Sequence, residues 1–283
     1  MKTQIFPVIV IYNKQINESL TLHSLLKCKV PTSNICILDN STSDYRIKEF
    51  CDKIGCTYIS MNGNMGLSKA YNRALEYLKQ IAKLDDLVMW LDDDTEVTQE
   101  YFNVLRIEAE DCNADIFMPI IMGQDGVIYS PNEGAFMKSR FIKAVDEELD
   151  MTKINGINSC LAVRYRIYKD YRYTEELFMD LVDNQFFDDM RGRNVSFVII
   201  RTLIHQTFFQ RDGATNIDSV INRFNIRIAD FMIYAKKKGK WFLLLALVKS
   251  FGWGCVSGLK FKSPKIIWAC ASQGFKRFIV NIC

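Results

Sequence analysis

No acidic residue occurs after Asp230, although the chain beyond it carries Lys236, Lys237, Lys238, Lys240, Lys249, Lys260, Lys262, Lys265, Lys276 and Arg277. A tail of one charge sign points to an anionic partner, either a membrane surface or a nucleic acid. Its lysines alternate with bulky apolar side chains rather than forming a solvated basic face, which argues against nucleic acid. Nine cysteines are present but no CxxC pair and no Cys/His cluster at zinc spacing, so a zinc module is excluded. Scattered cysteines of this kind read as buried reduced thiols of a cytosolic protein. There is no GxGxxG after the first apolar run and no GxxxxGK[ST] anywhere. That absence argues against a dinucleotide-binding enzyme and a P-loop phosphotransferase. No uninterrupted apolar run reaches the about 20 residues that span a bilayer. Met1-Lys2-Thr3-Gln4-Ile5-Phe6-Pro7 lacks the apolar stretch of a signal peptide. The expected location is cytoplasmic, with attachment at the inner face of the membrane through the C-terminal end.

What is present is a chain of 283 residues, 49% hydrophobic and 24% charged, with a net charge of +3. That is the composition of a globular protein with a sizeable core. Val8-Ile9-Val10-Ile11-Tyr12 reads as a strand buried on both faces. A helix over 18–28 follows, with Asn17 as its cap, then strands over 34–38 and 57–60. A helix over 67–83 leads to Val88-Met89-Trp90-Leu91, which ends abruptly in Asp92-Asp93-Asp94-Thr95. Regular alternation predicts an α/β fold, a doubly wound sheet with ligands beyond the carboxyl ends of its strands. Polar residues gather at those ends: Tyr12-Asn13, Asp39-Asn40-Ser41, Asn64, and Asp92 to Asp94.

Three adjacent carboxylates repel one another, and a hard divalent cation, which can also hold a diphosphate, relieves that repulsion. The competing reading is an acidic turn in which Asp94 or Thr95 caps the next helix, over 99–112. A strand over 115–121 and a hairpin or loop over 123–131 come next. Asp180 and Asp183 read either as site carboxylates sharing a helical turn or as acids at a helix N-terminus. His205 follows two strand-like stretches, 195–200 and 201–204; His23 has no acidic neighbour within its helix and is left structural. Helices are expected over 216–239 and 265–282, around an intensely apolar stretch over 241–251. With lysines and aromatics but no acids, these read as interfacial helices, or as a helical pair that packs on the core or forms a homodimer.

These pieces together resemble family 2 glycosyltransferases of the GT-A fold, most of all the bacterial rhamnosyltransferase and galactofuranosyltransferase branch. The resemblance rests on Val8-Ile9-Val10-Ile11-Tyr12-Asn13, Leu38-Asp39-Asn40-Ser41, Asn64-x-Gly66-x-x-x-Ala70-x-Asn72 and Leu91-Asp92-Asp93-Asp94-Thr95. It continues in Leu177-Phe178-Met179-Asp180-Leu181-Val182-Asp183 and Leu203-Ile204-His205, and covers about residues 5–230. It implies a Rossmann-like, mostly parallel sheet flanked by helices, with a nucleotide-sugar half (1–98), an acceptor and catalytic half (99–215) and a helical extension (216–283). The implied activity is a metal-dependent hexosyltransferase reaction with Mn2+ or Mg2+. It inverts the sugar as it moves from a UDP- or dTDP-linked donor to a glycan or polyprenyl-linked acceptor, in bacterial surface polysaccharide synthesis. By the same resemblance Ile11, Tyr12, Asp39, Asn64, Asp92 and Asp93 bind the nucleotide, and Asp94 and His205 meet the metal. Asp183 is the general base and Asp180 assists it. Three departures stand out: Gln185 replaces the acid two beyond the base, the arginine that follows is displaced to Arg191 or Arg193, and Asn158-Ser159-Cys160 replaces a Ser-Gly. The alternatives are a nucleotidyltransferase, whose glycine-rich basic signature Tyr12-Asn13-Lys14-Gln15 lacks, and a non-catalytic nucleotide-sugar-binding module.

Overall fold

Short apolar runs buried on both sides form the middle of the main sheet. The computed structural model describes residues 3–136, 138–193, 195–208 and 216–282. Strand and helix alternate at first: β1 (Ile5–Ile11), α1 (Leu20–Lys27), β2 (Cys36–Asp39), α2 (Ile47–Ile54), β3 (Thr57–Ser60), α3 (Leu67–Leu78), β4 (Leu87–Leu91) and α4 (Gln99–Asp111). β5 (Ile116–Gly123) turns back into β6 (Ile128–Ser130), so the expected hairpin is there. Three short strands, β7 (Asn132–Glu133), β8 (Arg140–Phe141) and β9 (Ile154–Asn155), pair separately in the order β8-β7-β9. Next come β10 (Leu161–Arg164), α5 (Val182–Gly192), β11 (Phe197–Gln206), α6 (Ile217–Lys238), α7 (Lys240–Lys260) and α8 (Pro264–Ile282).

The main sheet runs β11-β5-β10-β4-β1-β2-β3, with β6 paired to β5. β1 is parallel to β2 and β4, β2 to β3, and β5 to β11, whereas β10 runs antiparallel between β4 and β5. Six strands therefore leave their carboxyl ends at one edge, and β10 begins there. The sheet is mostly parallel and flanked by helices, as expected. Pro7 of central β1 stands opposite Met89 of β4 and one residue before the β1–β2 pairing begins at Val8↔Cys36.

An aromatic cluster fixes β4 behind the aspartates. The buried Trp90 donates its indole N–H to the Tyr168 hydroxyl at 2.7 Å, which bonds the Tyr173 hydroxyl at 3.0 Å. Tyr71 packs against Trp90 at a 40° tilt with ring centroids 4.3 Å apart. Asn72 holds Tyr173 by both backbone groups, each at 2.9 Å. Large rings locked by hydrogen bonds supply apolar contact without leaving buried polar atoms unpaired.

Several boundaries differ from those expected. A 3₁₀ turn over Ile16–Glu18 precedes α1, whose cap is Ser19 rather than Asn17. α3 ends at Leu78, not near 83. α4 is capped by Thr98, whose side chain accepts from the Tyr101 N–H, so neither Asp94 nor Thr95 serves as cap. The two stretches before His205 are one strand, β11, with a register shift between Ile200 and Leu203.

The chain divides into two compact units. One comprises Met1–Tyr173 with Phe186–Thr207, and the other Thr174–Gln185 with Phe208–Cys283. The second is helical. α6 stops at Gly239, where φ is +121° and three lysines occupy the last turn, the stop signal expected there. α7 and α8 pack through small residues: a Cβ placed on Gly258 would lie 2.3 Å from Ile267, and one on Gly254 2.8 Å from Cys270. By length and composition α7 is long and apolar enough to cross a membrane. The apolar stretch is interrupted in sequence by Lys249 and Ser250 but continuous as a helix.

Candidate active site

In the first unit the loop after β4 is held from outside by α1. The Thr21 hydroxyl donates to the carbonyls of Asp92 and Thr95, at 2.5 and 2.9 Å, and accepts from the Thr95 N–H at 2.8 Å. Ser19 Oγ donates to the Asp93 carbonyl at 2.9 Å. Thr95 forms an isolated antiparallel bridge with Gln206 at the end of β11. With the carbonyls of Asp92, Asp93 and Thr95 and the Thr95 N–H bonded in this way, the turn can present three carboxylates without collapsing on itself.

The three aspartates are not equivalent. Asp92 Oδ2 accepts from Ser159 Oγ and, at 2.9 Å, from Gln206 Nε2. Burial pushes its carboxyl above the usual range, and these two donors oppose that shift. Asp93 pairs with Lys14 at 3.0 Å. Asp94 Oδ1 is buried without a hydrogen-bond partner among the described residues, as are Thr95 Oγ1, Asn158 Oδ1 and Gln206 Oε1. Burial, reinforced by the charges of Asp92 and Asp93, pushes the Asp94 carboxyl up to about 7. An unpartnered carboxylate oxygen beside two other negative charges is where a hard divalent cation fits. Among the described residues no three His, Cys, Asp or Glu side chains form a ready cage, so a cation here would draw further oxygens from a ligand or water.

The Asp94 shift fixes a pH dependence. Its folded value lies above the roughly 3.9 of an unfolded aspartate, so the folded state holds a proton that the unfolded state lacks. The stability this confers is present at the acid end of the window and is lost as pH rises from about 4 towards 7. The thermal midpoint of the wild type should fall over that range relative to Asp94→Asn. Manganese should raise the midpoint more at pH 7.5 than at pH 5, since it favours the ionised form. Parallel pH curves for the two proteins would contradict the assignment.

Beside this turn the ends of β1, β2 and β3 form a hydrogen-bonded rim. Asn13, at φ +49°, accepts from both Thr42 N and Thr42 Oγ1, and its own N–H donates to Ser41 Oγ at 2.9 Å. Asn40 donates to Asn64 Oδ1 at 3.1 Å and accepts from the Met65 N–H. Asn64 Oδ1 also accepts from Gly66, whose φ of +84° opens α3. Asp39 accepts from the Ser41 N–H and the Tyr58 hydroxyl, each at 3.0 Å. Tyr12 stands 51% exposed. Ile11 is fully buried and its carbonyl accepts from Asn40, so it positions the rim and offers no open group. His205 is exposed on β11 opposite Met122; its neighbour Gln206 reaches Asp92.

In the second unit Asp180 and Asp183 do not share a helical turn. Leu181 intervenes at φ +62°, so Asp183 lies in the first turn of α5 and Asp180 precedes the helix. Asp230, 1% exposed, accepts three consecutive backbone N–H groups, from Phe178, Met179 and Asp180, at 2.9, 2.8 and 2.8 Å. Arg223 grips Asp180 with both terminal nitrogens, one at 2.7 Å, and Arg227 approaches it at 3.7 Å. Asp183 accepts from the Asn184 N–H at 2.8 Å. The displaced arginines are occupied within the first unit: Arg191 by Asp188 and the Ile154 carbonyl, Arg193 by Asp170 and the Tyr171 ring.

Sequence reading missed Thr21, Ser159, Gln206, Arg223 and Asp230, each of which acts on a distant segment. Asp230→Ala would leave three backbone donors without their acceptor. At ~1–3 kcal/mol per unsatisfied buried group, softened by water entry, a loss of about 2–4 kcal/mol is expected. Denaturant unfolding checks it, and an unchanged midpoint would remove Asp230 as the anchor of this loop.

The sequence model of the family described as Glycosyl transferase family 2 matches residues 8–172. That match contains the whole rim and the three aspartates but stops before Asp180, Asp183 and His205. The dTDP-rhamnosyl transferase RfbF of Shigella flexneri is 23% identical over 192 residues, 66% of this chain and 62% of that protein, so the chain spans less than two thirds of that relative. Among solved structures, GalNAc-T7 with UDP, GalNAc and Mn2+ aligns with a TM-score of 0.56 at 14% identity, over 83% of this chain and 50% of that one. The mannosyltransferase PcManGT from Pyrobaculum calidifontis, in complex with GDP-Man and Mn2+, aligns at 0.54 and 12% identity over 97% and 88%. S. aureus TarS 1-349 in complex with UDP aligns at 0.51 and 14% over 97% and 92%. At such identities these structures establish a shared fold, the GT-A type.

Proposed function

Because this chain belongs to glycosyl transferase family 2, whose model matches more than half of it, we propose that it moves a sugar from a UDP- or dTDP-linked donor to an acceptor hydroxyl. The observation that carries this reading is the buried, unpartnered Asp94 Oδ1 at the carboxyl edge of the sheet, beside Asp92 and Asp93. Sheets of this kind bind ligands at that edge. The Asp94 oxygen fits a divalent metal, manganese or magnesium, and the sequence resemblance adds His205 as a second ligand. Such an ion would neutralise charge on the departing diphosphate.

The remaining residues divide the donor between them. Asp39 retains acceptor capacity beyond its bonds to Ser41 and Tyr58, which suits the imide N–H shared by uracil and thymine. The exposed Tyr12 ring offers a stacking face for that base. Asp92 and Asp93 lie towards the ribose and phosphates, with Asn64 in the rim. Asp183 takes the acceptor hydroxyl's proton as that oxygen bonds to the anomeric carbon; the bond to the nucleoside diphosphate breaks in the same step, the diphosphate leaves, and the anomeric configuration inverts. The RfbF likeness favours a dTDP-linked sugar; the acceptor in this reading is a glycan or polyprenyl-linked hydroxyl of bacterial surface polysaccharide synthesis, as the sequence resemblance implies. Thermal shift against UDP, dTDP and their sugars, with and without manganese, tests the reading, because ligands that bind only the folded state raise its midpoint. Stabilisation by a nucleotide only with metal supports it. No stabilisation by any member of the set would contradict it.

A further inference from the structure

α7 and α8 are built inside out. The face of α7 that is buried carries Leu243, Ala246, Ser250, Gly254 and Gly258, mostly small residues. α8 meets them with Ile267, Cys270 and Gly274. Small residues let two helix backbones approach closely, but they bury little apolar area for their length. The large apolar side chains stand on the outside instead: Trp241 is 79% exposed, Leu259 76% and Trp268 77%, with Val248, Phe275 and Ile279 also exposed. On α7 the exposed arc holds no charged side chain, because its only charges are Lys240 and Lys260 at the ends and Lys249, which lies over the Phe231 and Trp253 rings. A contiguous apolar face of this kind marks an interaction surface.

Charge complementarity identifies what covers it. Every charged residue of the two helices and of the turn joining them is cationic, namely Lys240, Lys249, Lys260, Lys262, Lys265, Lys276 and Arg277. A second copy of this chain would bring the same positive charge to the contact and repel. An anionic lipid surface supplies both the apolar layer for the tryptophans and the negative charge for the lysines. Lys276 and Arg277 lie within α8 rather than at its ends, so a spanning orientation would carry both charges into hydrocarbon. We infer that the α7–α8 hairpin lies in the plane of an anionic bilayer interface and holds the protein there. This surface stands apart from the sugar-donor reading and is tested without it.

The test is flotation of the full chain with phosphatidylglycerol–phosphatidylcholine vesicles and with phosphatidylcholine vesicles alone, at low salt and at high salt. Wild type should float with the anionic vesicles, and less with neutral ones or at high salt. Leu259→Glu and Trp268→Glu should each reduce partitioning by roughly tenfold or more. A double Lys262→Glu, Lys265→Glu variant, which leaves the apolar face intact, should lose the preference for anionic lipid. Circular dichroism melting confirms that each variant is folded. Failure of wild type to float, equal flotation of the variants, or a lipid-free dimer that the same substitutions dissociate would overturn the inference.

Discussion

Asp183→Asn should lower the rate of sugar transfer by ~10²–10⁴-fold, the usual cost of losing a general base. The amide keeps the size of the carboxylate and part of its hydrogen bonding but cannot accept the acceptor's proton at neutral pH. Nucleotide and metal affinity should survive, since Asp183 sits in the first turn of α5, after a loop held in place by Asp230. The comparison variant is Asp180→Asn. Its carboxylate is gripped by Arg223 and approached by Arg227, so the substitution weakens a support rather than removing the base. Single-turnover rates for both variants, with nucleotide affinity measured alongside, separate the two roles. Near-normal transfer by Asp183→Asn with collapse in Asp180→Asn would reverse them.

Asp94→Ala should abolish metal-dependent nucleotide binding and, with it, turnover. The physical ground is the unpartnered buried oxygen and the raised carboxyl beside two like charges. A cation relieves that repulsion, and without Asp94 no other carboxylate in the turn is comparably open: Asp92 is held by Ser159 and Gln206, and Asp93 by Lys14. His205→Ala should weaken binding without abolishing it. Calorimetry of UDP and dTDP with manganese checks both. An unchanged affinity in Asp94→Ala would place the metal elsewhere.

Much of the first unit was legible because its signals are local. Val88 to Leu91 is a buried run ended by carboxylates, and it is a buried strand with those carboxylates at its end. Asn64 and Gly66 announced the turn that opens α3. What could not be read was which distant side chain closes each polar loop. Thr21 reaches the aspartate turn from 74 residues away and Gln206 reaches Asp92 from 114. Neither carries a pattern that distinguishes it from any other threonine or glutamine. Asp180 and Asp183 have helical spacing, and only the left-handed Leu181 shows that the helix begins between them. The C-terminal helices were legible as helices. Which of their faces is covered was not, because a core stripe and an exposed apolar stripe are written with the same residues.

The central claim is transfer of a sugar from a nucleotide donor, and proton NMR of the reaction tests it most directly. Wild type with manganese, the sugar donor that gives the largest stabilisation and an acceptor alcohol should release the nucleoside diphosphate. A glycoside of opposite anomeric configuration to the donor should form in equal amount, and Asp183→Asn should form almost none. Release of a sugar 1-phosphate, with the nucleoside monophosphate carried to the acceptor, would instead mark a nucleotidyltransferase. A full set of UDP- and dTDP-sugars left intact by metal-loaded wild type would contradict the account.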